Sequence, residues 1–327
     1  MLYYFIRRII YMFIILGAIS VVSFVVIQLP PGDYLTSYIM QLEETGAKVS
    51  EAEIASLRKQ YGLDLPVYLQ YFKWLWQMLH GNFGRSLEWN QPVAKLIAER
   101  LILTITISTF TLIFTYAVAI PIGIYSATRQ YSIGDYFFTT VGFIGLATPN
   151  FLLALILMFL FYKYFGLSVG GLFSREYMKA AWSIGKVVDM LKHLPIPIIV
   201  IGTSGTAALI RIMRGCLLDE LQKQYVITAR AKGMEEKKLL FKYPVRVAIN
   251  PIISRLAWVF PQIVSGGAIV SIVLGLPTAG RLLFRALLSQ DMYVAASLLM
   301  FLSFLTVVGV FISDILLVWI DPRIRYE

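Results

Sequence analysis

The sequence has few of the residues from which proteins build catalytic and metal sites. It contains one cysteine, Cys216, and two histidines, His80 and His193. A single cysteine excludes a disulfide within the chain, and two histidines alone do not make a metal cluster. No segment has the glycine-rich pattern of a phosphate-binding loop. We therefore expect no catalytic residue, no bound metal or cofactor, and no ATPase site in this chain.

Charged residues are also scarce, and long stretches contain none. Only 15% of the 327 residues are charged and 58% are hydrophobic, whereas an average soluble domain is about 45–50% apolar. An apolar run of about 18 residues or more is a candidate membrane span. We expect an all-α membrane protein with six spans, at Ile9–Leu29, Leu101–Thr128, Tyr136–Tyr162, Leu194–Ile210, Val247–Leu274 and Met292–Ile320.

The distribution of basic residues predicts the orientation of these spans, because lysine and arginine are enriched in cytoplasmic loops. With the N-terminus inside, the inner segments carry net charges of +2, 0, +5 and 0, and the outer segments carry −1, +3 and +1. We therefore expect a multi-pass protein of the cytoplasmic (inner) membrane with both termini in the cytoplasm.

The chain divides into three predicted parts. Residues 1–29 form the first transmembrane helix, residues 30–100 a helical cap outside the membrane, and residues 101–327 a core of five transmembrane helices. In the cap, Pro66 starts an aromatic-rich helix that Gly81 ends. A further helix begins at Pro92 and leads into the second span. The cap either covers the ends of the spans or docks an external partner, and the sequence leaves both open.

One segment between the apolar runs is rich in charge. The inner loop 211–246 contains nine basic and four acidic residues, and residues 225–249 read YVITARAKGMEEKKLLFKYPVRVAI. Gly233 permits a sharp change of direction between two short helices, and Pro244 predicts an early end or a kink of the second. The loop is either held on anionic lipid by its lysines or is a rigid segment that fits a partner protein.

This segment resembles the cytoplasmic coupling motif of ABC-importer permeases, and most closely the B-type subunits of the oligopeptide, dipeptide and nickel branch. The resemblance rests on YVITARAKG followed by a basic helix and Asn250-Pro251. It extends over nearly the whole chain through further motifs in the same order, namely LPPGD ending at Asp33, YGLDLPVYLQYFKWL, GNFGRS at 81–86, ATPNF at 147–151 and DPRIRY at 321–326.

The resemblance implies a fold of the type I ABC-importer kind and a role for residues 215–247 as the coupling region. It assigns coupling to a cytoplasmic ATPase to Tyr225, Thr228, Ala229, Ala231, Lys232, Gly233, Leu239 and Leu240. It implies four kinds of partner: a second permease subunit of the homologous C type, two cytoplasmic ATPase subunits that bind ATP and Mg²⁺, an extracytoplasmic solute-binding protein, and the lipid bilayer. No nucleic acid partner is expected.

Three features depart from the family pattern. Ile227 stands where the coupling motif usually begins with Glu-Ala-Ala, and Pro244 lies within the helix that follows Gly233. After the fifth span, Ser271 and the sequence PTAG at 277–280 replace a glutamate and PGxG. The last departure falls on an outer loop near the expected translocation path and leaves the identity of the solute open.

Polar residues on the apolar spans are the candidates for lining the path. They are Asn150, Thr203, Ser204, Gln262 and Ser265. For any single one of them, helix–helix packing is the simpler interpretation, because serine and threonine are common at such contacts. Pro149 and Pro261 are expected to bend their helices around a cavity. Arg255 and Asp314 lie within spans, where charges usually pair or face water, and we expect them to form an ion pair.

The resemblance favours a permease subunit of an ATP-driven, solute-binding-protein-dependent importer for oligopeptides or dipeptides. Within the family, the same machinery importing oligosaccharides or nickel is the alternative. A secondary transporter without an ATPase is more remote, because it predicts inverted repeats and carboxylates at mid-membrane. An enzyme within the membrane would need a nucleophile–base pair or a metal site in the spans, and the sequence shows neither.

Overall fold

The computed structural model describes residues 2–28, 64–86, 88–166, 170–178, 180–255 and 267–320, without some side chains near the ends of its first and last helices. The regular secondary structure of the described part is helical, and an isolated β-bridge joins Arg85 and Pro92. Its helices are α1 Leu2–Gln28, α2 Val67–Leu79, α3 Val93–Thr128, α4 Ile133–Ala147, α5 Asn150–Phe165, α6 Ile184–His193, α7 Pro195–Leu221, α8 Gln224–Ala231, α9 Glu236–Lys242, α10 Pro244–Ala248, α11 Asn250–Ser254, α12 Ala279–Leu288 and α13 Met292–Ile320. Residues 267–273 are also helical.

Three described helices are long and apolar enough to cross a membrane. They cover Val93–Thr128, Pro195–Leu221 and Met292–Ile312, and the bent pair α4–α5 makes a fourth if it counts as one span. A shorter apolar stretch, Ile9–Val25, lies within α1. Over the described residues, the protein therefore has the helices expected of a multi-pass membrane protein. The predicted fifth span, Val247–Leu274, lies partly outside the described residues, so the count of six stays a prediction.

The predicted third span consists of two helices rather than one. Within Tyr136–Tyr162 the chain breaks between Ala147 and Asn150, and α4 and α5 meet at 104°. The cause is local, because the residue before a proline is forced out of the helical region. Thr148 accordingly has φ −85° and ψ 119°. The expected bend at Pro149 is confirmed, and it is sharp enough to separate two helices.

The predicted fourth span was too short. The predicted span ends at Ile210, before Arg211, but α7 continues to Leu221. No proline interrupts residues 211–221, and most of them are good helix formers. Pro195 lies at the first position of α7, where its missing N–H costs nothing. The predicted sixth span has the same bounds as α13.

The described contacts divide the chain into two compact units. The first comprises 1–103 and 278–305, and the second comprises 104–277 and 306–327. In the first unit, the aromatic-rich helix α2 forms as predicted, with Pro66 before it and Gly81 after it at φ +75°. Trp74 of α2 is 3% exposed and packs with Phe24 and Met292, so this part of the predicted cap rests on α1 and α13.

A buried carboxylate fixes the loop between α2 and α3. Asp291, fully buried, accepts a hydrogen bond of 2.5 Å from the hydroxyl of Ser86 and one of 3.2 Å from the backbone N–H of Glu88. Its other oxygen accepts a 3.3 Å bond from the N–H of Val294 in the first turn of α13. One side chain thus caps a helix and holds a loop about 200 residues away in sequence.

Candidate coupling site

The charged segment forms two short helices joined by a fixed turn, as the sequence predicts. Helix α8 ends at Ala231, and Gly233 takes a φ of +75°. The N–H of Gly233 donates to the carbonyl of Arg230 at 3.0 Å, and the N–H of Met234 donates to that of Ala229 at 3.3 Å. These two bonds define a Schellman motif, which needs a left-handed residue at the position of Gly233.

Side chains brace this turn on both sides. Arg230 before the turn and Glu236 after it form a bidentate pair, with N–O distances of 2.5 and 3.1 Å. The hydroxyl of Tyr225 donates to the carboxylate of Glu220 near the end of α7. The rings of Tyr225 and Tyr243 meet edge to face, with centroids 6.4 Å apart. The segment therefore has a defined shape rather than that of an open loop.

The protonation states agree with these contacts. Burial and the hydrogen bond to the Glu220 carboxylate raise the pKa of Tyr225 above its ordinary value, so the phenol stays protonated. The hydrogen bonds from Arg230 lower the pKa of Glu236. The Arg230–Glu236 pair is therefore present at neutral pH, and it is lost only when acid protonates Glu236 below the usual range for glutamate.

The inner side of the segment is anchored on its own chain. Val226 of α8 and Leu239 of α9 are fully buried. Leu240 and the α10 residues Val245 and Ala248 join a hydrophobic cluster with Met213 and Leu217 of α7, and this cluster also includes Ala119 and Ala127 of α3. Helix α9 ends at Lys242 and Pro244 starts α10, which confirms the predicted early end.

The outer side of the segment presents apolar side chains to the surroundings. Phe241 is 54% exposed, Ile227 45% and Tyr225 40%. Phe241 was not among the predicted coupling residues. It lies two positions after Leu239, about 200° around the helix, so an inward Leu239 places Phe241 outward. The sequence alone does not show which of Leu239 and Leu240 is buried, and so it could not predict that Phe241 faces outward.

The structure places the predicted coupling residues on different sides. Thr228, Ala231, Lys232 and Gly233 are exposed with Tyr225, whereas Ala229 and Leu240 are partly buried. Leu239 has no exposed surface, so any part it takes in coupling is indirect, and its assignment to coupling stays a prediction. Leu239 is an anchor of α9 on the chain itself.

The predicted path residues are only partly described. Asn150 is the first residue of α5 and is partly buried, as are Thr203 and Ser204 of α7. The hydroxyl of Thr203 donates to the carbonyl of Ile199 in its own helix. A Cβ built on Gly145 would lie 2.9 Å from Cγ2 of Thr203, so this methyl group packs against α4. Gln262 and Ser265 lie outside the described residues.

The predicted ion pair between Arg255 and Asp314 is not tested by the structure. Arg255 follows the last residue of α11 and is exposed. The side chain of Asp314 lies outside the described part of the chain. The pairing therefore stays a prediction.

The packing role of Thr203 leads to a first testable prediction. Gly145→Ala should be at least about 1 kcal/mol more destabilising with Thr203 present than in the Thr203→Ser background, because serine keeps the hydroxyl and removes the obstructing methyl. Melting temperatures of the four detergent-solubilised proteins of this cycle would measure the difference. Additive effects would contradict the packing role, and a change of imported solute in Thr203→Ser alone would indicate a path residue.

Comparison with known families agrees with the motifs. Residues 119–326 match the model described as "Binding-protein-dependent transport system inner membrane component", and residues 1–109 match the corresponding N-terminal model. The oligopeptide transport system permease protein AppB of Bacillus subtilis is 36% identical, with 99% of each chain covered. A putative peptide permease protein of Brucella ovis is 31% identical, again with 99% of each chain covered.

The inner membrane ABC transporter permease protein YejB of Escherichia coli O157:H7 is 30% identical, with 99% of each chain covered. The matches extend over almost all of the chain, and the resemblance to ABC-importer permeases is confirmed. The chain belongs to the family of inner membrane components of binding-protein-dependent transport systems.

Proposed function

We propose that this chain is one membrane-spanning subunit of an ATP-driven peptide importer and forms half of its translocation path. Two of the three permeases described above have peptide or oligopeptide in their names, and all three match the chain over almost its whole length. Residues 225–249 are then cytoplasmic, which places both termini on the cytoplasmic side of the cytoplasmic membrane.

The observation that carries the coupling role is the two-sided build of α8 and α9. Their inner side is anchored on α7 and α3 through Leu240 and its neighbours, while the apolar side chains of Phe241, Ile227 and Tyr225 are exposed. Together these three exposed residues are the docking face. An exposed apolar surface on a rigid, charged, cytoplasmic element is suited to a protein groove, because anionic lipid alone would need only the lysines.

The partners follow from the family and the geometry. We propose a homologous C-type permease beside this chain, two ATPase subunits below, and a solute-binding protein outside. ATP and Mg²⁺ are bound by the ATPases. When the ATPases close, a rigid segment passes the displacement to α7. Rigid-body motion of packed helices of this kind opens and closes a path. A segment without internal braces would absorb that displacement.

Asn150, Thr203, Ser204, Gln262 and Ser265 remain the proposed polar lining of the path. The oligosaccharide and nickel alternatives are separated from peptide by transport itself. The complex should be purified through this chain, its co-purifying subunits identified, and the assembly placed in liposomes with ATP. Binding-protein-dependent uptake of short peptides, without uptake of oligosaccharides or Ni²⁺, is expected. Uptake that continues without any ATPase subunit would contradict the proposal.

Two truncations to alanine on α9 should have different consequences. Leu239→Ala leaves a cavity in a fully buried position and should destabilise the protein by about 2–4 kcal/mol. Phe241→Ala removes more volume from the exposed side and should leave the melting temperature of the isolated chain unchanged, but reduce co-purification of the ATPase subunits. Loss of stability in both variants, with ATPase binding unaffected in Phe241→Ala, would contradict the docking face.

The orientation can be tested with a single engineered thiol. Cys216 packs against the hydrophobic cluster that includes Met213 and Leu217 and is a poor target for a bulky reagent. It is first replaced by serine, so that the engineered thiol is the only one in the chain. Gln224→Cys, at the exposed start of α8, should react with a membrane-impermeant maleimide in inside-out vesicles and remain unlabelled in intact cells. The opposite pattern would invert the topology.

A further inference from the structure

Helices α4 and α7 run antiparallel with a single register. A Cβ built on Gly145 would lie 2.9 Å from the side chain of Thr203, and one built on Gly142 would lie 3.9 Å from the Cβ of Ala207. Further along, Asp135 bonds Arg214. Each step back along α4 is matched by a nearly equal step forward along α7, so the three contacts belong to one continuous interface.

Gly145 sets the distance between these helices, since a Cβ at Gly142 would make only an ordinary contact with Ala207. A side chain at Gly145 would collide with Thr203, so the backbone of α4 approaches α7 more closely there than a larger residue would permit. Close backbone approach through small residues is the usual way in which helices associate within membranes. The glycines alone allow sliding and rotation, however, because they provide no directional bond.

The pair of Asp135 and Arg214 provides that directional bond. Nε of Arg214 donates to one carboxylate oxygen and Nη2 to the other, both at 3.0 Å. The same carboxylate accepts the N–H of Tyr131 at 3.0 Å and the hydroxyl of Thr139 at 3.4 Å. Asp135 is 3% exposed. A planar guanidinium held at both nitrogens by a buried, fully bonded carboxylate has one geometry.

The positions of this pair along the chain connect two functional elements. Arg214 lies seven residues before Leu221, about 10 Å along α7, and α8 begins three residues after α7 ends. At the other side, α4 ends at the sharp break before Asn150, the proposed path residue. The interface between α4 and α7 therefore leads from the proposed coupling segment to the break.

We propose that Asp135 and Arg214 are a positioning pair that makes α4 and α7 move as one body, so that displacement of the coupling segment reaches the α4–α5 break. This rests on the proposed function, since it takes the displacement to come from an ATPase. Neither residue touches the solute. They determine how much of the displacement produced by ATPase closure reaches the translocation path.

The first test compares ATP hydrolysed with solute imported by the assembled complex in liposomes. Asp135→Asn keeps the shape but removes the charge, and should raise the ratio of ATP hydrolysed to peptide imported several-fold. Arg214→Lys keeps the charge but loses the fork, and should give an intermediate ratio. Arg129→Gln removes an exposed charge from the neighbouring loop and should leave the ratio unchanged. A merely structural role would lower the amount of complex without changing the ratio per complex, and that result would overturn the proposal.

The second test does not depend on the behaviour of any charge variant. Spin labels are placed at Ile144 on α4 and at Gly215 on α7, where a side chain meets nothing within 4 Å, with Cys216 replaced by serine. The distance between them should be the same in the nucleotide-free and ATP-bound complex, and Asp135→Asn should broaden or shift it in the ATP-bound state. A distance that changes with nucleotide in the otherwise native pair would overturn the single-body motion. Failure of binding-protein-stimulated ATP hydrolysis in the unlabelled native complex would instead contradict the proposed function.

Discussion

Replacing Gly233 by arginine should abolish the ATP hydrolysis that peptide and binding protein stimulate, while leaving the chain in the membrane at its normal level. The reason lies at the turn itself. Gly233 has a φ of +75°, and a left-handed conformation costs other residues about 1–2 kcal/mol. A Cβ there meets nothing within 4 Å, so the chain has room for a side chain. The long side chain would instead project from the exposed turn of the proposed coupling segment.

Two smaller substitutions separate the backbone from the surface. Gly233→Asn tolerates the left-handed conformation and adds a short side chain, so stimulated hydrolysis should stay within about twofold of the native rate. Gly233→Ala pays the conformational cost without a large side chain and should fall between the two. Rates of hydrolysis by the reconstituted complex, normalised to assembled ATPase, give the comparison. Native stimulation in Gly233→Arg would contradict the coupling role of the turn.

The largest effect on stability is expected at Asp291. Asp291→Ala removes an acceptor from Ser86, from the N–H of Glu88 and from the N–H of Val294. Leaving the buried donors of Ser86 and Val294 without this acceptor should cost about 3 kcal/mol or more. Asp291→Asn keeps one carbonyl acceptor and should cost less. The expected observations are a lower melting temperature and faster proteolysis between α2 and α3.

A matched control lies two residues away. The hydroxyl of Ser289 donates to the carbonyl of Arg285 within its own helix, so Ser289→Ala removes a side-chain oxygen without leaving a buried donor. Its melting temperature should equal that of the native protein. Equal melting temperatures for Asp291→Ala and the native chain would show that the buried carboxylate does not hold the loop.

Local signals in the sequence predicted the elements that depend on neighbouring residues. The turn at Gly233, the end of α9 before Pro244 and the bounds of α13 follow from glycine, proline and apolar length, which act within a few positions. The sharpness of the break at Pro149 could not be predicted, because proline fixes where a helix yields but the packing of α5 sets the angle.

Contacts between distant parts of the chain left no signal of this kind. Asp135 and Arg214 are 79 residues apart, and Ser86 and Asp291 are 205 apart. Each of these residues alone looks like a surface or loop residue, and only the tertiary fold brings the pairs together. The same reason applies to Leu239, because the sequence does not show whether this side chain packs on its own chain or contacts a partner.

The two-sided build of α8 and α9 has a consequence for engineering. Leu239 and Val226 are buried within this chain, whereas Phe241 and Ile227 are exposed and belong to the proposed docking face. Grafting only the outward side chains from another permease should transfer recognition of that permease's ATPase without disturbing the fold of this chain. Swapping the entire stretch would import foreign inward residues and unsettle the fold beneath it.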